Sequence, residues 1–376
     1  MVAAKSSFST TILIAGIDKI REKNVYQLAG LRDYGYRFII ITVDPDGNSR
    51  DHVRGLDNVE IFTFSNRWSR PLMAIALLES IVRYDINLVE MYPFSYGQLI
   101  LTILVKLAGI PLVLIARGEE HNYLSKQMPL TKRLPFFLTY WLGDYVIYKE
   151  PYMEKFLRNL QRKKRAWMLP NAIRVPDRGK PHESGKCHFL FLNSLVPVRY
   201  PEIALDAFFE ICQELNLTDS SNIRFNIVGF LGDKAPGVVA NKETKLRAKV
   251  ANKDVPVELH QWTTDPKKWL EDADVFLLPA DVVFLNYSLL EAMSLGVPAI
   301  VQESNGSELI VTDGMDGYIL PPEKDKWKEC MLRLIKDEDL RKKMGEAARR
   351  KVKSTFSLDG YLEKYDRIYK TVATGI

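Results

Sequence analysis

The chain has 376 residues, too many for one ordinary core and enough for two domains of similar size. Hydrophobic residues make up 47% and charged residues 26%, which excludes fibrous and disordered classes. The net charge of +5 suits an anionic ligand or membrane surface without singling out nucleic acid, and the three scattered cysteines, Cys187, Cys212 and Cys330, give neither a disulfide framework nor a zinc spacing.

The N-terminal stretch MVAAKSSFSTTILIAGI has too short an apolar run for a signal peptide and reads as a first strand. With no targeting segment, the expected location is cytoplasmic. Helical spacing follows in NVYQLAGLRDYG. The β-branched run RFIIITVD then reads as a strand covered on both faces. VEIFTFS, the helical LMAIALLESIVRYD, and INLVEMY continue the alternation. The apolar stretch Leu99 to Ala116 imitates a membrane span, but Lys106, Gly109 and Pro111 interrupt it. It reads as a helix and then a buried strand, because a spanning helix needs ~20 apolar residues. LPFFLTYWLG and DYVIYKE complete the first half.

Residues 171–186, NAIRVPDRGKPHESGK, carry Pro, Gly and charge without periodicity and read as a linker. The alternation restarts with CHFLFLNSL, PEIALDAFFEICQEL, IRFNIVGF, VELHQW, ADVFLLPA, SLLEAMSLG, PAIVQE and GYILPP. Strand–helix alternation predicts parallel sheets with helices on both faces, hence two doubly wound α/β domains in tandem. The expected boundaries are 1–178, 179–355, and a last helix, 356–376, packing back on the first domain. Ligands of such sheets bind at the C-terminal ends of the strands, and two such domains facing each other make a cleft.

From about Phe189 the sequence resembles the retaining glycosyltransferases of family four, which have the two-domain B-type (GT-B) fold. The resemblance rests on NSLVPVRYPE, IVGF, DVFLLPA with LLEAMSLGVPAI, and SNGSELIVTDGMDGYILPP, in the family's order and spacing. FSLDGYLEKYDRIYK is similar to the family's last helix, and NAIRVPD sits where the family has a Pro-Asn-Gly turn. The family pairs two glutamates with seven residues between them. The second is Glu291; at the place of the first this chain has Val283.

The resemblance implies the following site. Glu291 accepts hydrogen bonds from the nucleotide ribose. Arg199 binds the diphosphate, for which a bidentate guanidinium is suited; a second basic residue usual in the family is replaced by Ser194. Gly229 closes a strand end. The turn Phe284, Leu285, Asn286, Tyr287 offers backbone amides to phosphate and sugar at a helix start, capped by Asn286 or Ser288. Glu308 is read as a donor contact or a helix cap. Gln261 and Trp262 are the candidate base contacts, a packed core tryptophan being the alternative. In the first domain Arg117, at the end of LIARG, is the candidate catalytic cation facing the sugar or the departing phosphate, followed by Glu119, Glu120 and His121. Arg21 and Lys23 follow the first strand as further candidates for phosphate or as solvated charges.

The implied reaction moves a sugar from a nucleotide diphosphate sugar, UDP- or GDP-linked, to an acceptor hydroxyl with retention. No metal and no cofactor are expected, because amides and an arginine stabilise the leaving phosphate. The acceptor is a glycan or lipid-linked glycan in bacterial-type polysaccharide or glycolipid assembly. QRKKRAW, with Arg162, Lys163, Lys164 and Arg165, and LTKRLPFFLTYWLG, with Lys132, Arg133, Phe136, Phe137, Tyr140 and Trp141, are candidates for peripheral contact with anionic membrane at its inner face. Taken singly, each also reads as a solvated loop or a core-facing helix. Nucleic acid is not an expected partner.

Val283 leaves three readings open. The donor lacks a hydroxyl at that wall, a neighbour such as Asp281 or Asn286 takes over, or the chain binds nucleotide sugar without transferring it as the partner subunit of a glycosyltransferase complex. The first two keep an enzyme, in which Asp281 joins Arg117 as a catalytic candidate and Val283 selects the donor. A two-domain binding protein also has tandem α/β lobes, but it needs a signal peptide and two or three crossovers.

Overall fold

The computed structural model describes residues 8–17, 20, 22–44, 48–66, 70–92, 96–116, 120–124, 128–160, 165–181, 183–219, 221–251, 253–283, 286–304 and 306–375. The chain divides into two compact units, Met1–Pro170 with Leu358–Ile376, and Asn171–Ser357.

The first unit begins with β1 (Thr10–Ile17), α1 (Glu22–Arg32), β2 (Tyr36–Val43), α2 (Asn48–Val53) and β3 (Val59–Phe64). It continues through α3 (Arg70–Arg83), β4 (Ile86–Met91), α4 (Tyr96–Leu107), β5 (Leu112–Ala116), α5 (Glu120–Leu124) and α6 (Leu130–Leu142). β6 (Tyr145–Tyr148), α7 (Met153–Asn159) and β7 (Ala166–Met168) finish its sheet. The strands are parallel in the order β3-β2-β1-β4-β5-β6-β7. The apolar runs of β1, β2, β4 and β5 are buried on both faces, as a helix-covered parallel sheet requires. α3, α4, α6 and α7 close one face and α1 the other.

The second unit runs β8 (Cys187–Leu192), α8 (Pro201–Leu215), β9 (Ile223–Phe230), α9 (Gly237–Val250), β10 (Val257–Gln261) and α10 (Lys267–Asp272). Next come β11 (Val275–Leu278), α11 (Tyr287–Ser294), β12 (Ala299–Gln302), α12 (Ser307–Ile310), β13 (Gly317–Leu320), α13 (Lys324–Lys336) and α14 (Glu338–Thr355). Its parallel sheet has the order β10-β9-β8-β11-β12-β13. α8 shows why the local sequence folds as it does. Pro201 stands at its first turn, Ala204, Leu205, Phe208, Ile211 and Cys212 form its buried stripe, and Asn216 ends it with φ 52°.

The last helix, α15 (Leu358–Thr374), packs within the first unit. Leu362, Tyr365, Ile368, Tyr369 and Val372 are buried against the core formed by β1, β2 and α1. Tyr36 donates to Asp366 Oδ1 at 2.9 Å, and its ring lies 5.2 Å from that of Tyr369. A methyl on Gly30 would meet Leu362 Cδ1 at 2.3 Å, so only glycine lets α1 and α15 approach this closely.

The described residues of the segment read as a linker hold no helix or strand beyond a bridge from Ile173 to Ser357. It is nevertheless tied to the second unit. Lys180 and Asp274 form a buried ion pair at 2.6 Å, and Arg349 donates to Pro176 O at 2.6 Å. The stretch from Leu99 to Ala116 falls in α4 and β5, the helix and buried strand expected there, and among the described residues no helix is long and apolar enough to cross a membrane.

Candidate functional site

In the second unit the strand order reverses between β8 and β11, whose chain neighbours lie on opposite sides. Such a switch point opens a crevice at the carboxyl ends of the strands. The loops that leave β8 and β11 are joined there. Arg199 bridges Ala280 in antiparallel fashion, Asp281 N donates to Val198 O at 3.0 Å, and Tyr200 N donates to Pro279 O at 2.7 Å. The backbone segments that carry Arg199 and Asp281, far apart in sequence, are thereby paired.

Arg199 is half-buried. Its Nη1 donates to Ser194 Oγ at 2.7 Å and Ser194 O at 3.1 Å, and among the described residues no carboxylate lies in ion-pair contact with it. Burial pulls its pKa down, as expected of a desolvated cation without a counter-charge. Lys242 on α9 donates to the carbonyl of Arg199, sits 3.5 Å from the Glu202 carboxylate, and lies 5.1 Å from the Tyr200 ring centre. These contacts hold the loop after β8 in shape.

Asp281 is exposed, and both of its oxygens are engaged. Tyr200 donates to Oδ2 at 2.6 Å and Gln302 Nε2 donates to Oδ1 at 3.1 Å. The hydrogen bond to Asp281 is the main cause that pushes the Tyr200 phenol pKa up. Tyr200 and Gln302 were not among the candidates read from the sequence. Tyr200 directly follows Arg199, and Gln302 ends β12 at the same edge of the sheet; only the strand order brings them together.

Val283 does not line an open surface. It is 0% exposed and packs with Leu278, Ala280, Leu289 and Leu290 in the apolar cluster beneath α11. The expectation that Val283 touches and selects the donor is corrected: its side chain turns into the core, while Asp281 and Val282 are the exposed residues of this loop. Asn286 caps α11, its Oδ1 accepting from Leu289 N at 3.1 Å, so of the two expected caps Asn286 is the one used. Gly296 terminates the helix with φ +86°. Tyr287 and Glu291 lie on α11, both half-buried. Phe284 and Leu285 lie outside the described residues.

Gly229 has φ +142°, and a methyl group there would fall 1.9 Å from Asn193 O. Only glycine lets the end of β9 approach the loop after β8. Gln261 ends β10 and is exposed. Trp262 N donates to Phe230 O at 2.8 Å, but its side chain is 56% exposed, which corrects the core alternative for this tryptophan. The reason is positional: β10 is the edge strand of its sheet. Glu308 is exposed on α12, whose own cap is Gly306.

In the first unit Arg117 and Glu119 lie outside the described residues, as do Arg21 and Arg162 to Lys164. Glu120 is fully buried at the start of α5, where Tyr140 and Tyr152 donate to it at 3.4 and 3.5 Å. Burial first, and the Glu120 charge second, push the Glu150 carboxyl up to about 7, against the pull of Lys149. Among the described residues no group of His, Cys, Asp and Glu is arranged to hold a metal ion.

Two doubly wound parallel α/β domains are the architecture of the GT-B class of fold. Residues 176–351 match the family of glycosyl transferases group 1. It is 32% identical over 101 residues to N-acetyl-alpha-D-glucosaminyl L-malate synthase of Bacillus anthracis, covering 27% of this chain and 26% of that protein. It is 28% identical over 109 residues to the UDP-Gal:alpha-D-GlcNAc-diphosphoundecaprenol alpha-1,3-galactosyltransferase of Escherichia coli, covering 29% of this chain and 28% of that protein. The alignments thus span little more than a quarter of each relative. In fold the chain is similar to Anabaena HepE, solved in complex with UDP and glucose, at 15% identity and a TM-score of 0.71 over 96% of this chain and 99% of that one.

Proposed function

We propose that the protein is a retaining glycosyltransferase that moves a sugar from a UDP-sugar, or another nucleotide diphosphate sugar, to a hydroxyl of a lipid-linked glycan. The observation that carries this reading is Arg199: a half-buried cation at the switch point whose guanidinium, among the described residues, donates only to the hydroxyl and carbonyl of Ser194. Burying a charge without a partner is costly, and a diphosphate removes the cost. Glu291, on the helix that follows, is the proposed ribose acceptor, and Gln261 with the exposed Trp262 flanks the base. Gly229 keeps the crevice open to the donor. Asn286, Tyr287 and Glu308 stand on the same edge of the sheet as further donor contacts.

In the transition state positive charge grows at the anomeric carbon and negative charge on the leaving phosphate. Arg199 is placed to stabilise the phosphate before the bond breaks. The proposed donor nucleotide draws on HepE, solved with UDP, and on the Escherichia coli relative, named for UDP-Gal. That relative is also named for a diphosphoundecaprenol acceptor.

A membrane-borne acceptor accords with one surface of the first unit. α4 packs between α3 and α6 over one face of the sheet. The outer sides of the three helices leave Leu78, Val82, Ile103, Leu107, Leu134 and Trp141 exposed, beside exposed Lys132. Apolar side chains with a tryptophan and basic residues suit a lipid interface.

The test is a panel of UDP- and GDP-sugars with a polyprenyl diphosphate glycan acceptor, assayed for nucleotide release, with the product linkage read by NMR. Release of nucleotide with an α-linked product from an α-linked donor is the expected result. Nucleotide-sugar binding without turnover of any donor would favour the partner-subunit reading.

A further inference from the structure

We propose that Asp281, held in place by Tyr200 and Gln302, reads the hydroxyls of the donor sugar and thereby does the work of the glutamate absent at position 283. The inference rests on the donor-site reading given above and specifies the sugar: a donor bearing free hydroxyls on its ring, not a deoxy sugar.

Position comes first. The sugar of a nucleotide diphosphate sugar hangs directly on the second phosphate, so its reader must lie beside the cation that holds the diphosphate. Asp281 follows Ala280, the residue that bridges Arg199. It belongs to the loop leaving β11, at the switch point, and its side chain is exposed. Val283 is buried and its methyls face the apolar cluster under α11, so it presents nothing to a ligand.

Preorganisation comes second. Two neutral donors, Tyr200 OH at 2.6 Å and Gln302 Nε2 at 3.1 Å, each hold one carboxylate oxygen. An ionised carboxylate has about four acceptor sites, so about two remain for hydroxyls of a ligand. A carboxylate fixed before the ligand arrives loses little rotamer freedom on binding.

A third observation concerns the other end of the Gln302 amide. Gln302 is 5% exposed, and its Oε1 has no hydrogen-bond partner among the described residues. A buried acceptor left unpaired beside a clamped carboxylate is the signature of a place that receives hydroxyl or amide donors. Asp281 is assigned as the residue that touches the sugar, and Tyr200 and Gln302 as positioning residues that act through it.

The experiment compares UDP with UDP-glucose by calorimetry, with GDP and GDP-mannose alongside, on wild type, Asp281→Ala, Tyr200→Phe and Gln302→Leu. UDP-glucose analogues deoxygenated at one ring position at a time complete the panel. Asp281→Ala is expected to leave the nucleotide affinity within about twofold and to weaken the nucleotide sugar about tenfold or more, the scale of a lost hydrogen bond to a charged group. The deoxy analogue that wild type rejects should bind Asp281→Ala as well as its parent does. Tyr200→Phe and Gln302→Leu should show the same loss in weaker form, confined to the sugar. An Asp281→Ala protein with the wild-type ratio of nucleotide-sugar to nucleotide affinity and the wild-type response to every deoxy analogue overturns the inference alone. Wild type that binds neither UDP nor GDP sinks the donor-site reading and this inference with it.

Discussion

Arg199 and Ser194 form a closed pair in which one guanidinium nitrogen donates both to the serine hydroxyl, at 2.7 Å, and to the serine carbonyl, at 3.1 Å. Ser194 stands where the family resemblance leads one to expect a second basic residue. The loop after β8 therefore carries one arginine held rigid by a neutral neighbour, and the geometry of that cation is fixed before any anion binds.

Arg199→Ala should weaken UDP affinity about tenfold or more, because a charge-assisted hydrogen bond to phosphate is lost. Ser194→Ala should weaken it by about fivefold, the scale of one neutral hydrogen bond of about 1 kcal/mol that only positions the arginine. Calorimetry on folded variants measures both. Equal effects of the two would assign Ser194 a direct contact with the ligand, and no effect of either would remove Arg199 from the site.

Val283 and Val282 should respond in opposite ways to a carboxylate. Val283 is 0% exposed, so Val283→Glu buries a charge in the cluster under α11 and should cost several kcal/mol, of order 3 or more, or prevent folding. Val282 is exposed, and Val282→Glu should stay within about 0.5 kcal/mol of wild type. Urea unfolding of the pair decides. A stable Val283→Glu protein with a shifted donor profile would restore position 283 to the donor wall.

Stability should depend on Glu150 between about pH 4.5 and pH 7. Its carboxyl is pushed up to about 7 in the folded chain by burial and by the Glu120 charge, from the ordinary 4.5. The folded state thus holds this proton more tightly than the unfolded one. The sign is that of a raised group: its favourable contribution is complete below about pH 4.5 and is lost as pH rises through about 7. Glu150→Gln should flatten that window and be more stable than wild type at pH 8, by on the order of 1–2 kcal/mol once solvent screening is allowed for. Parallel urea titrations of wild type and variant at pH 5 and pH 8 would expose an error as equal differences at the two pH values.

The outer face of α3, α4 and α6 should bind lipid. Vesicles containing anionic lipid should sediment the protein at low salt, and Leu107→Glu with Trp141→Ala should reduce the bound fraction several-fold, since both side chains are largely exposed. Salt should release it in part, because the attraction of Lys132 is screened and the apolar contact is not. Binding unchanged in the double variant would place any membrane contact elsewhere on the chain.

Much of the fold was legible from local pattern. Continuous β-branched runs such as RFIIITV became strands covered on both faces, and PEIALDAFFEICQEL became a helix whose proline start, apolar stripe and left-handed end are all written in its residues. The same holds for α11, where Asn286 is a cap by its chemistry and Gly296 a stop by its freedom at positive φ. These features depend on neighbours a few positions away, and a sequence read in order displays them.

The candidate site divides along the same line. Arg199, Gly229 and Glu291 were marked by motif and spacing. Tyr200 and Gln302 were not, because they meet Asp281 across separations of 81 and 21 residues that only the order of β8, β11 and β12 closes. Periodicity likewise could not say that Val283 turns inward, since it lies in the loop beyond the end of β11, where alternation no longer predicts the face. Nor could it say that Trp262 stays in solvent, which follows from β10 being an edge strand. The sequence by itself determined the elements and their caps and marked Arg199 as the candidate for phosphate, because those are local choices of the chain. The tertiary structure alone decided which carboxylate is clamped and which side chains face outward, because strand order brings those groups together only after the sheet has formed.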